Sequence, residues 1–186
     1  MPRVFVISGP SGAGKGTVIA LLRRRLGGLS LAVSATTRAP RPGEVDGREY
    51  HFMTRDEFER EVAAGAFLEW VEYSGALYGT LRREVEDKLA RGDDVLLEIE
   101  LRGARAVRRA MPEAVLVFIA PPSLDELGRR LRGRGTESDE AVARRLEMAA
   151  GELAAADEFD HVVVNDDAER AAAELAAIIS EERKED

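Results

Sequence analysis

Val4-Phe5-Val6-Ile7-Ser8 runs directly into Gly9-Pro10-Ser11-Gly12-Ala13-Gly14-Lys15-Gly16-Thr17, and this junction decides the fold. The first five residues form a short β-rich run. The next nine carry the spacing G-x-x-x-x-G-K, and apolar residues at three-to-four spacing then predict a helix over 14–26. Strand, glycine loop and helix in that order are the context of a phosphate-binding loop. Its glycines let several backbone N–H groups turn inward toward a polyphosphate, and the helix N-terminus adds its positive end. Lys15 supplies a mobile full charge for the β and γ oxygens. One departure matters: position 16 is Gly, where many such loops carry the Ser or Thr that holds magnesium. Thr17 brings a hydroxyl one place later. It is the candidate Mg²⁺ ligand, directly or through a water, while phosphate cradling is unaffected.

Outward from the loop, further β-type runs occur at 94–99, 114–119 and 161–164. Helical periodicity follows at 101–110, 124–131, 139–156 and 168–182. Strands that alternate with helices imply parallel pairing, because parallel strands need a crossover. The spacing of Ser123 with Glu126 and of Asp166 with Glu169 predicts two capped helix starts. The middle has another texture. Most of the aromatics lie there, and short alternating runs at 50–52 and 67–73 flank one helix that opens at Thr54 with Glu57 three residues on. That is the pattern of a small, mostly antiparallel lobe inserted into an α/β core.

Composition narrows the function classes. A chain of 186 residues, 45% hydrophobic and 33% charged, has the material for one ordinary domain with inserted lobes, which argues against intrinsic disorder. Net charge -8 is the wrong sign for coating nucleic acid, so no nucleic-acid partner is expected and any anion site must be local. The absence of Cys removes disulfides, thiolate metal sites and cysteine nucleophiles, and His51 and His161 are too few for a histidine metal cage. No apolar run reaches the length of a membrane span, and the N-terminus reads as strand rather than signal peptide, so no membrane partner and a cytoplasmic location are expected.

Beyond the loop, the stretch Ser34-Ala35-Thr36-Thr37-Arg38-Ala39-Pro40-Arg41-Pro42-Gly43-Glu44 makes the chain resemble a guanylate kinase. The likeness continues through Gly47-Arg48-Glu49-Tyr50-His51-Phe52, Tyr78-Gly79-Thr80, Leu101-Arg102-Gly103-Ala104, Arg132-Gly133-Arg134-Gly135-Thr136-Glu137 and Val163-Val164-Asn165-Asp166-Asp167. It is close to full length. The resemblance implies an α/β fold of three parts: a three-layer, parallel-sheet P-loop core at 1–34 and 81–186, a GMP-binding lobe inserted at 35–80, and a mobile lid near 129–145. It implies transfer of the γ-phosphoryl of MgATP to GMP. ATP would bind along Gly9 to Thr17, and Mg²⁺ would accompany it.

The chemistry of the matched positions agrees. Arg38 and Arg41 can hold a monophosphate in forked hydrogen bonds that lysine could not reproduce, and Tyr50 and Tyr78 add phenolic donors. Glu44 belongs to the same substrate set. Guanine presents N1–H and the N2 amine, so a carboxylate flanked by hydroxyls suits it; by resemblance these are Glu69, Ser34 and Thr80. An ordinary solvent-facing Glu in an alternating strand is the competing reading of Glu69. Glu98 and Glu100 end a core strand two residues apart and can orient magnesium waters or the incoming nucleotide. Aspartates are more familiar there, so each carboxylate reaches one methylene further. In the lid the resemblance selects Arg130, Arg134 and Arg145 to stabilise the transferring phosphoryl, with Lys15. Arg129, Arg132 and Arg144 read as solvated charges. Asn165 either meets the adenine of ATP or caps the last helix. His51 is rejected as a general base, since a monophosphate is already a competent nucleophile. Two other readings stay open: a P-loop kinase for a different small acceptor, and a non-catalytic module that binds proteins through the GMP lobe. A monomer or small homo-oligomer is expected.

Overall fold

The computed structural model describes residues 1–133 and 138–184. Its core is a five-stranded sheet in the order β2-β7-β1-β8-β9, built from Leu29–Leu31, Asp94–Glu98, Val4–Ser8, Val115–Ala120 and His161–Val164. Every pairing in it is parallel. The three central strands are buried along almost their whole length, which is why they read as unbroken Val/Leu/Ile runs rather than as alternating ones. Helices α1 (Lys15–Arg25) and α7 (Ala168–Glu182) cover one face through Phe5, Ile7, Leu22, Val117 and Leu175. Helices α3 (Arg82–Ala90) and α4 (Leu101–Ala110) cover the other through Val6, Val85, Leu97, Val107 and Phe118.

Two smaller units carry hydrophobic clusters of their own. The inserted lobe holds the second sheet, ordered β4-β3-β6-β5 from His51–Phe52, Ala35–Thr36, Ala76–Leu81 and Phe67–Tyr73. Only the β3–β4 pair is parallel. Helix α2 (Arg55–Ala63) closes over it, started by the predicted capping box of Thr54 and Glu57, and Phe58 stacks on Phe67 at 4.3 Å between ring centroids. The other unit is a helical hairpin, α5 (Leu124–Gly133) and α6 (Asp139–Leu153), joined by Leu127, Leu131, Val142 and Ala149. Ser123 caps α5 through the Glu126 N–H at 3.1 Å, as its spacing predicts.

Some predicted elements move. Asp167, not Asp166, caps α7 by accepting from the Arg170 N–H at 2.9 Å, and Asp166 instead pairs with the Arg170 side chain. Helix α6 stops at Leu153 rather than 156, and a 3₁₀ turn at Ala156–Glu158 leads into β9. The edge strand β2 and helix α3 have no counterpart in the predicted elements. β2 is only three residues long, and α3 continues from β6 without a capping residue, its N-cap Leu81 making no side-chain bond.

Candidate active site

Gly14 opens α1 in the left-handed conformation, φ 89° and ψ 22°, and a side chain there would strike the Asn165 amide. Glycine is required on both counts. The amide occupies that space because Asn165 Nδ2 donates to the Ala13 carbonyl at 2.6 Å, while the Asn165 backbone carbonyl accepts from Arg130 Nη2 at 2.9 Å. Asn165 is therefore a buried latch that ties the phosphate loop to the end of β9 and to helix α5. It does not cap the last helix, which corrects one of its two predicted roles. Asn165→Ala should lower stability by about 1–3 kcal/mol, because the buried Ala13 carbonyl loses its partner. Equilibrium denaturation would measure it, and an unchanged midpoint would show the latch to be dispensable.

Lys15 folds back over its own loop, donating to the Gly9 carbonyl at 2.6 Å and the Pro10 carbonyl at 3.2 Å. Burial lowers its pKa, opposed by the negative charge of Glu98, Glu152 and Glu100. Ser11, at the tip of the loop, accepts from Arg145 Nη2 at 2.6 Å, so helix α6 reaches the loop directly. Arg130 is held by Glu126 at 3.0 Å besides its bond to Asn165. Arg134 lies outside the described residues.

The loop opens into a cleft of ≈ 460 Å³ between the core and the inserted lobe. Of the predicted site residues, Ser11, Lys15, Ser34, Tyr50, Glu69, Tyr78, Glu98 and Glu100 line it. Glu69 is its most informative wall. It is buried, with 5% exposure. A β-bulge in β5 between Phe67 and Glu69 sets Glu69 opposite Thr80. Thr80 Oγ1 then donates to Glu69 Oε1 at 2.8 Å. Burial raises the Glu69 carboxyl pKa, and the Thr80 hydrogen bonds only partly oppose this. The competing reading of Glu69 as an ordinary solvated residue is thereby removed. Glu98 is likewise pushed up by burial, with Lys15 pulling the other way, although solvent still reaches its side chain through the cleft mouth.

Arg38, Arg41 and Glu44 are not among the residues that line the cleft; Arg38 packs against Tyr50, which does. Arg38 donates to both Glu44 oxygens, at 2.8 and 2.9 Å, and its guanidinium lies 5.3 Å from the centroid of Tyr50. Glu44 also accepts the Arg41 N–H at 2.7 Å, and its hydrogen bond from Arg38 first of all holds its carboxyl below the usual range. Tyr50 and Tyr78 meet edge to face at 6.0 Å, and burial raises the Tyr50 phenol pKa. Thr17 is exposed on α1. Glu152, on α6 near Glu100 and Lys15, is an acid of this site that the sequence reading missed, and burial raises its pKa. Nothing local in its Ala/Glu-rich helix sets it apart.

These features extend over most of the chain, and so do the similarities to known proteins. The family model described as guanylate kinase matches residues 1–182. Guanylate kinases of Rubrobacter xylanophilus and Frankia casuarinae are 58% and 59% identical, over 95% and 94% of this chain and 93% and 95% of theirs. The crystal structure of a guanylate kinase from Anaplasma phagocytophilum superposes with TM-score 0.79 at 34% identity, covering 98% of this chain and 87% of that one. A match that spans the phosphate loop, the inserted lobe and the α5–α6 hairpin alike admits one assignment: the chain belongs to the guanylate kinase family.

Proposed function

We infer that the chain transfers the γ-phosphoryl group of ATP to GMP, giving ADP and GDP. The observation that carries this is a single cleft with a phosphate-loop lysine on its core wall and a buried, hydroxyl-bonded carboxylate on its lobe wall. The first suits a triphosphate, the second the donor edge of guanine. A GMP phosphate oxygen attacks the γ-phosphorus in line as the bond to the ADP oxygen breaks, with no covalent enzyme intermediate. Charge spreads over the equatorial oxygens, where Lys15, Arg130, Arg134 and Arg145 are proposed to neutralise it. ATP is proposed to lie along Gly9 to Thr17, with Asn165 holding the loop. Arg38, Arg41, Tyr50 and Tyr78 are proposed to take the GMP phosphate, Glu44 keeping Arg38 in place, while Glu69, Thr80 and Ser34 read the base.

Magnesium fits the residues present. Gly16 offers no hydroxyl, but the point where its side chain would begin is 3.8 Å from Glu98 Oε1. A carboxylate thus stands beside the space a loop hydroxyl would take. Glu98 and Glu100 are hard oxygen donors suited to Mg²⁺ or its waters, with Thr17 as an indirect contributor. When bound, the ion would neutralise charge on the β- and γ-phosphates.

The lobe at 35–80 and the lid near 129–145 are proposed to close as units over the two substrates, a reading supported by their separate hydrophobic clusters. No helix of the described residues is long and apolar enough to cross a membrane. We read the protein as a cytoplasmic monomer or small homo-oligomer that acts on small molecules alone. A coupled ADP-release assay with MgATP against GMP, dGMP, AMP, UMP and CMP tests the assignment. Turnover with GMP at least about a hundredfold above AMP, UMP and CMP is expected; equal rates, or none with GMP, would overturn it.

A further inference from the structure

Gly103 lies in the first turn of α4, buried and on the wall of the cleft. Its backbone is helical, outside the positive-φ region that other glycines of this chain occupy, so its conformation does not call for glycine. Helix stability argues against it, since glycine is the poorest helix former after proline. What requires it is space. A Cβ at this position would sit 2.8 Å from Glu69 Oε2, 3.3 Å from Glu69 Cδ and 3.3 Å from Ile99 Cδ1. The nearest atom is thus the second carboxylate oxygen of Glu69, the first being held by Thr80.

We propose that Gly103 is a specificity-positioning residue: its missing side chain creates the recess in which Glu69 Oε2 stands, and so sets the carboxylate at the angle that meets both donors of guanine. The proposal rests on the reading of Glu69 as the group that recognises the base. A methyl at position 103 would meet the far end of a flexible side chain rather than backbone, so the carboxylate would yield and the helix would not. Pinned by Thr80 at one oxygen and crowded at the other, the carboxylate would rotate out of alignment with two parallel N–H donors. Oxygens and donors must match as a pair for that recognition to discriminate.

The test compares kcat/KM for GMP and IMP in the full chain. IMP keeps N1–H and O6 but lacks the N2 amine, so the GMP/IMP ratio reads alignment of the carboxylate with the second donor. Gly103→Ala is expected to lower that ratio by about tenfold, chiefly through the KM for GMP, with a melting temperature at or above wild type. In a Glu69→Gln background, the same change should leave the ratio within about twofold, because the two substitutions act on one contact. An equal loss for GMP and IMP would mean that Gly103 merely gives the nucleotide room, and would overturn the proposal. So would a multiplicative effect in the Gln background, or a large drop in melting temperature. Absence of GMP turnover by the unaltered protein is a different result, and would remove the reading of the site itself.

Discussion

Replacing Lys15 with alanine is expected to lower kcat with MgATP and GMP by about a thousandfold or more, the scale associated with losing a preorganised charge at the reacting phosphoryl. Lys15 has the attributes of a group stored for that use. Its ammonium is desolvated, which lowers its pKa against the opposing charges of Glu98, Glu152 and Glu100, and it donates to two carbonyls of its own loop. Neither bond ties the loop to the rest of the fold. Phosphate oxygens can replace both without moving the backbone, so little reorganisation stands between the resting and the working loop. For the same reason the change should leave folding intact. The loss of two hydrogen bonds is offset by removal of a desolvated charge, and the anchors of the loop at Ala13, Gly14 and Asn165 are untouched. Steady-state kinetics together with a thermal melt would decide it: near-normal kcat, or a collapsed melting temperature, would contradict the phosphate role.

Residues 4–17 were legible in the sequence because a phosphate loop is local; strand, glycines and lysine act within one turn of chain. The long central strands were legible for a related reason, since burial on both faces leaves uninterrupted apolar runs. What escaped was built across the chain. β2 is a strand only because Leu29, Ser30 and Leu31 find Asp94, Val95 and Leu96 alongside. The bulge in β5 sets Glu69 opposite Thr80, eleven positions on, whereas period-two reading carries Glu69 onto the face of Phe67. Asn165 looks like an Asx turn beside a helix start, yet its amide serves a carbonyl 152 positions away. Glu44 is a further case. Sequence placed it among the substrate ligands, whereas its carboxylate grips Arg38 with both oxygens and takes the Arg41 N–H as well. It holds the Arg38 side chain and the Arg41 backbone rather than lining the cleft, a distinction of geometry that residue type cannot carry.

Glu69→Gln should reduce the preference of the enzyme for GMP over IMP and AMP by about a hundredfold, chiefly through the KM for GMP, on the scale seen when a buried hydrogen-bonding group is mismatched to its ligand. The amide keeps the shape and one oxygen, which can still accept from Thr80, but it turns an NH₂ group toward guanine donors. Stability should move the other way. Because burial raises the Glu69 carboxyl pKa in the folded state, its contribution to stability is full at pH below the unfolded value and falls as pH rises through the folded one. At neutral pH the buried carboxylate therefore weakens the fold, and Gln should melt at the same temperature or higher. The same raised pKa predicts a pH signature for binding. Guanine's N–H donors favour the ionised acid, so GMP affinity should weaken as pH falls through the Glu69 pKa and that group takes up a proton. Titration of the GMP phosphate contributes to any acid limb in both proteins, so the informative quantity is the difference between them. Calorimetric titration of GMP across acidic to neutral pH should show a steeper loss in the wild type than in Glu69→Gln. Parallel curves, or an unaltered GMP/IMP preference, would mean that the base is read by groups other than Glu69.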